Sequence, residues 1–66
     1  MDEQPLDKAV AAVMRQNGVT RELATGQLLD FLGKVDGWMV AGINPLDLFA
    51  ERFRVPKEYL LDLLYS

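Results

Sequence analysis

Two proline signals in the last third of this chain constrain its fold more tightly than any other feature. Asn44-Pro45 and Val55-Pro56 bracket two short amphipathic segments. Asparagine caps a helix well and proline suits the first helical position, so a helix is predicted to open at Pro45. It would turn Leu46, Phe49, Ala50 and Phe53 inward. Proline disfavours helical geometry in the residue before it but accepts the first turn of a helix, so the chain should break at Val55 and restart near Pro56. Leu60, Leu63 and Leu64 would form the buried stripe of that last helix.

Similar punctuation organises the rest. A first helix is expected after Pro5, with Asp2, Glu3 and Asp7 near the positive end of its dipole. Leu6, Val10, Val13 and Met14 fall on one stripe, opposite Lys8 and Arg15. Asn17-Gly18 should end it, because glycine accepts the left-handed conformation without a Cβ clash. A second helix is expected from Thr20, as N-cap, towards Gly33, with Ala24, Leu28, Phe31 and Leu32 on its apolar face. A later start at Thr25 is the less favoured version, suggested by Gly26.

The segment from Gly33 to Ile43 carries three glycines around a compact apolar block. Asp36-Gly37 would suit a hairpin, but no other segment offers a partner strand. A loop leading into a short helical turn is therefore expected. Trp38 in that segment reads first as a plug for a small core, and second as a binding anchor. The expected fold class is all-α: one domain of four to five short helices over residues 1–66, with residues 1–4 disordered.

Composition narrows the functional classes. A domain of 66 residues buries only about 60% of the surface its unfolded chain exposes, so cohesion is scarce. There is no cysteine and no histidine, which removes disulfides, thiolate metal sites and imidazole chemistry. The acids are scattered over helix faces, and no glycine-rich phosphate loop is present. No enzyme, cofactor, metal site or small-molecule substrate is expected. The longest apolar run, Trp38 to Ile43, is far short of the roughly 20 residues of a membrane span. The acidic N-terminus lacks the basic start of a signal peptide, so a cytoplasmic setting is expected.

The run from Leu48 to Leu61, with Ala50, Phe53, Val55, Leu60 and Leu63 in packing positions, resembles the helix-turn-helix of regulatory proteins. That resemblance covers residues 44–65 and implies DNA binding through the last helix. Two features depart from it. Arg54 stands in the turn where the family usually has glycine, and a left-handed backbone there would cost about 1 kcal/mol. The outward face of the last helix is Glu58, Leu61, Asp62 and Tyr65, with no Arg, Asn or Gln to make a bidentate base contact. The net charge of −3 has the wrong sign for neutralising phosphate.

A protein partner suits that face better. Leu61 and Tyr65 beside Glu58 and Asp62, with Trp38, are the candidate protein-binding residues; the plainer alternative packs Leu61 on the first helix and leaves Tyr65 on the surface. The expected function is a small non-enzymatic regulatory or adaptor protein acting through a helical surface, with a homodimer as one form of partner. The alternative is a minimal DNA-binding regulator that uses Arg52, Arg54 and Lys57 on the backbone; these three cations also read as solvated charge balancing nearby acids.

Overall fold

The computed structural model describes residues 4–65. It is all-α, with α1 over Pro5–Asn17, α2 over Arg21–Val40, α3 over Pro45–Phe53 and α4 over Glu58–Tyr65. Among the described residues there is no strand. The expected disorder of residues 1–4 and the dipole contacts of Asp2 and Glu3 fall, for residues 1–3, outside the described residues. Gln4 precedes α1, and its carbonyl accepts from the Lys8 N–H at 3.1 Å.

Each helix boundary has a local cause. Gly18 ends α1 in the left-handed conformation, φ 66°, and its N–H reaches the Met14 carbonyl. The Thr20 hydroxyl accepts from the Leu23 N–H at 3.2 Å and opens α2. Asn44 does the same for α3, accepting from the Leu46 N–H at 2.9 Å, with Pro45 in the first turn. The α3–α4 turn places Arg54 at φ 55°, a left-handed backbone in a residue with a Cβ.

α2 overturns the expectation for residues 33–43. Neither Gly33 nor Gly37 stops it; the helix runs to Val40. Burial explains the continuation. Ala24, Leu28, Phe31, Val35 and Trp38 recur at steps of three and four residues, and all but the half-buried Trp38 are buried. An internal glycine costs up to about 1 kcal/mol, less than the roughly 1.5–3 kcal/mol from burying one large apolar side chain. The true stop is Gly42, φ 80°, where Ile43 N–H bonds the Trp38 carbonyl at 2.8 Å and Gly42 N–H bonds that of Met39 at 3.1 Å. Those two bonds form a Schellman motif.

α1 packs against each of the other three helices, and α3 lies against both α2 and α4, whereas no Cα of α2 comes within 8 Å of one in α4. The core joins Ala9, Val10, Ala12 and Val13 of α1 to Leu28 and Phe31 of α2, Phe49 and Phe53 of α3, and Leu60 of α4. Val55 fills the turn and is buried with them. Leu64, expected in the buried stripe of α4, is 39% exposed, because α4 turns Leu60 inward and has no neighbour on its far side.

Phe31 is the centre of the aromatic packing. Its ring meets Trp38, Phe49 and Phe53 edge-on at centroid distances of 4.7, 5.8 and 5.5 Å. A second tie runs from α1: Asn17 Nδ2 donates to the Phe53 carbonyl at 2.9 Å and to the Val13 carbonyl at 3.2 Å. It holds the end of α3 against the end of α1.

Two stability predictions follow from this geometry. Phe31→Ala should cost about 3–5 kcal/mol, enough to unfold much of a domain this small in a urea titration. Arg54→Gly should raise the melting temperature by a few degrees, since relief of the left-handed strain of about 1 kcal/mol outweighs the extra freedom of the unfolded chain.

Candidate functional site

α4 positions four of the residues singled out in the sequence. Glu58, Leu61, Asp62 and Tyr65 follow one another at steps of one helical turn or less and share a face. Glu58, Asp62 and Tyr65 are exposed, Tyr65 to 83%. Leu61 is half-buried because that edge of α4 leans on the start of α1. Leu61, Asp62 and Tyr65 line an open hollow of about 460 Å³ together with Pro5 and Lys8. An apolar floor with one acid and one base at its rim can seat a side chain of a partner.

The electrostatics of this face are lopsided. Glu58 and Asp62 make no ion pair among the described residues; the salt bridge found there is Lys34 to Asp30, at 3.2 Å on α2. Lys8 borders the hollow without closing on Asp62. Among the described residues the carboxylates of α4 thus have no cation in contact.

Trp38 lies elsewhere. It sits near the C-terminal end of α2, and α2 makes no close backbone approach to α4, so Trp38 does not join Leu61 and Tyr65 in one patch. Its indole lies edge-on to Phe31 and lines a second hollow, of about 540 Å³, with Ile43, Leu48, Glu51 and Arg52. A half-buried ring held by a core phenylalanine first serves packing.

The basic residues are also divided. Arg54 and Lys57 are exposed in the α3–α4 turn. Arg52, near the end of α3, borders the Trp38 hollow and another of about 380 Å³ lined by Asn17, Val19, Gln27, Asp30 and Phe53. None of the three makes an ion pair among the described residues, so they do not balance Asp47, Glu51 or Glu58 by direct contact. Among the described residues no group of three acids could hold a metal ion, and no helix is long and apolar enough to cross a membrane.

Sequence reasoning did not single out Pro5 and Lys8 for the α4 hollow, since only the packing of α1 on α4 brings them there. Ile43 and Leu48 were equally unmarked beside Trp38. The signal for them lay in the stop at Gly42, which folds Ile43 back over the helix end. Comparison with protein-family models, with curated proteins and with solved structures gives no match for this chain.

The two aromatic positions should behave differently. Trp38→Ala should destabilise the fold by about 1.5–3 kcal/mol, roughly half the loss of a fully buried ring, whereas Tyr65→Ala should stay within about 0.5 kcal/mol of the parent in denaturant titration.

Proposed function

We propose that this chain is a non-enzymatic regulatory or adaptor module that docks another protein on the outward face of α4. The observation that supports this most directly is the set of carboxylates of Glu58 and Asp62, unpaired among the described residues, beside the exposed ring of Tyr65. An apolar anchor with a charged flank is the layout of a modest interface, in which the buried centre supplies affinity and the rim supplies orientation. The partner that fits is a protein segment with a large apolar side chain flanked by lysine or arginine. The apolar group would enter between Leu61 and Tyr65, and the cations would meet Glu58 and Asp62. The module is read as cytoplasmic, the setting expected from its sequence.

The same face argues against reading a DNA groove. Two carboxylates would stand against phosphate, and the basic residues Arg54 and Lys57 lie at the turn rather than along α4. On this reading the sequence resemblance to a helix-turn-helix concerns the packing of two short helices and not a mode of binding.

Leu61→Asp is a poor probe because Leu61 is half-buried, so the test uses exposed positions. A partner captured by the parent protein should be lost by Asp62→Lys combined with Tyr65→Ala, while the circular dichroism of the variant stays that of the parent. Weakening by at least tenfold is expected, because a desolvated aromatic anchor and its charged neighbour together carry a few kcal/mol. Undiminished capture by the double variant would remove α4 from the interface. Tight binding of duplex DNA by the parent, falling steeply as salt rises, would replace this reading with the regulator.

A further inference from the structure

Polarity is sorted along α2 and not only around it. Glu22, Gln27, Asp30, Lys34 and Asp36 keep the outer side of the helix polar, and past Asp36 the chain carries no charged residue until Asp47. Trp38, Met39, Val40 and Ala41 fill one turn, so the end of the helix is apolar in every direction. After the stop at Gly42, Ile43 folds back beside Trp38. Met39, Val40 and Ile43 are 59, 91 and 44% exposed, and Ala41 and Gly42 are exposed with them. Single exposed apolar residues are ordinary, whereas a contiguous group marks a contact.

The geometry of this group says what it meets. A 20-residue helix is about 30 Å long, against a longest dimension of 34 Å for the whole chain, so the end of α2 stands at an extremity of the molecule. It is a convex apolar tip on a polar shaft. A helix that lies in a groove of another protein sorts its side chains by face. A tip sorted by depth matches a lipid surface, whose polarity changes with depth alone. Two details fit that phase. Tryptophan favours the level between headgroups and hydrocarbon, and Trp38 stands where the charged shaft gives way to the tip. The N–H groups of Ala41, Gly42 and Ile43 bond the carbonyls of Gly37, Met39 and Trp38 at 3.1, 3.1 and 2.8 Å. Backbone donors that leave water must be satisfied internally, and these three are.

Charge decides the kind of lipid. Asp36 and Asp47, both exposed, are the nearest charged residues in sequence on either side of the tip, and Glu51 and Arg52 border the hollow beside Trp38. Acids outnumber bases at this rim. Anionic headgroups are therefore repelled, and electrically neutral ones such as phosphatidylcholine are admitted. We propose that the apolar tip of α2, Trp38 to Ile43, inserts into the surface of a membrane of electrically neutral lipid. The contact is shallow, since six residues are far short of the roughly 20 that span a bilayer. It uses none of the α4 residues and does not rest on the α4 docking reading.

The test is co-flotation of the full chain with phosphatidylcholine vesicles. The parent should float with them, and Met39→Asp combined with Val40→Asp should weaken the association at least tenfold, because each adds a carboxylate where the tip leaves water. Both positions are exposed, so the circular dichroism of the double variant should stay that of the parent. A parent left in the aqueous phase, or a double variant that floats undiminished, would overturn the proposal. Depth can be read separately, since Trp38 is the single tryptophan of the chain. Lipid brominated at the top of its acyl chains should quench Trp38 emission, and floating protein that is not quenched would refute insertion by the tip. Association that needs anionic lipid and disappears with added salt would transfer the contact to Arg54 and Lys57 and refute it equally. A parent of twice the chain mass in lipid-free sedimentation, returned to single-chain mass by the double variant, would give the tip to a second copy instead. Asp62→Lys with Tyr65→Ala should float as the parent does; loss there would move the contact to α4.

Discussion

The Phe31 ring is the point on which this fold depends. It is 1% exposed and touches two phenylalanines of α3 and the tryptophan of its own helix. With no cysteine in the chain, cohesion rests on burial, and burial is limited in a domain of this size. Aromatic rings supply the most buried area per residue and add an edge-to-face preference that sets relative orientation. The angle at which α3 meets α2 follows from those contacts. The Asn17 bond to the Phe53 carbonyl then joins α1 to the same junction through a group that would otherwise be an open helix end.

Spending the apolar residues on one junction leaves two surfaces without internal partners. α1 touches every other helix, so its apolar stripe is consumed. α2 and α4 both pack on it without a close backbone approach to one another, and each keeps an outward face. Those two faces differ in chemistry: α4 offers carboxylates around an aromatic ring, and α2 offers glycine and aliphatic groups among charged ones. A carboxylate face favours a basic partner.

Much of the fold was legible because its signals are local. Gly18, Thr20, Asn44 and Pro45 act through their own backbone geometry or a hydrogen bond within a few residues, so their effect does not depend on the rest of the molecule. Residues 33–43 were misread for the opposite reason. Gly33 and Gly37 carry a local preference against helix, and tertiary burial of Val35 and Trp38 outweighed it. The spacing of Ala24, Leu28, Phe31, Val35 and Trp38 was visible in the sequence as a continuous stripe, and it outranked the glycines. At the candidate site, the face formed by Glu58, Leu61, Asp62 and Tyr65 was readable from helical period alone. Its separation from Trp38 was not, because period says which residues share one helix face and nothing about which helices touch.

The sequence by itself determined that this chain is helical, where three of its four helices begin and two of them end, and that its last helix turns acids outward. Capping, proline geometry and side-chain period act over one or two turns, so they are written in neighbouring residues. Only the tertiary structure decided that α2 continues to Val40, that Trp38 belongs to the α2–α3 junction, and that Pro5 and Lys8 border the α4 face. Those outcomes depend on which apolar stripes meet, and that is set by burial summed over the whole chain rather than by any local stretch.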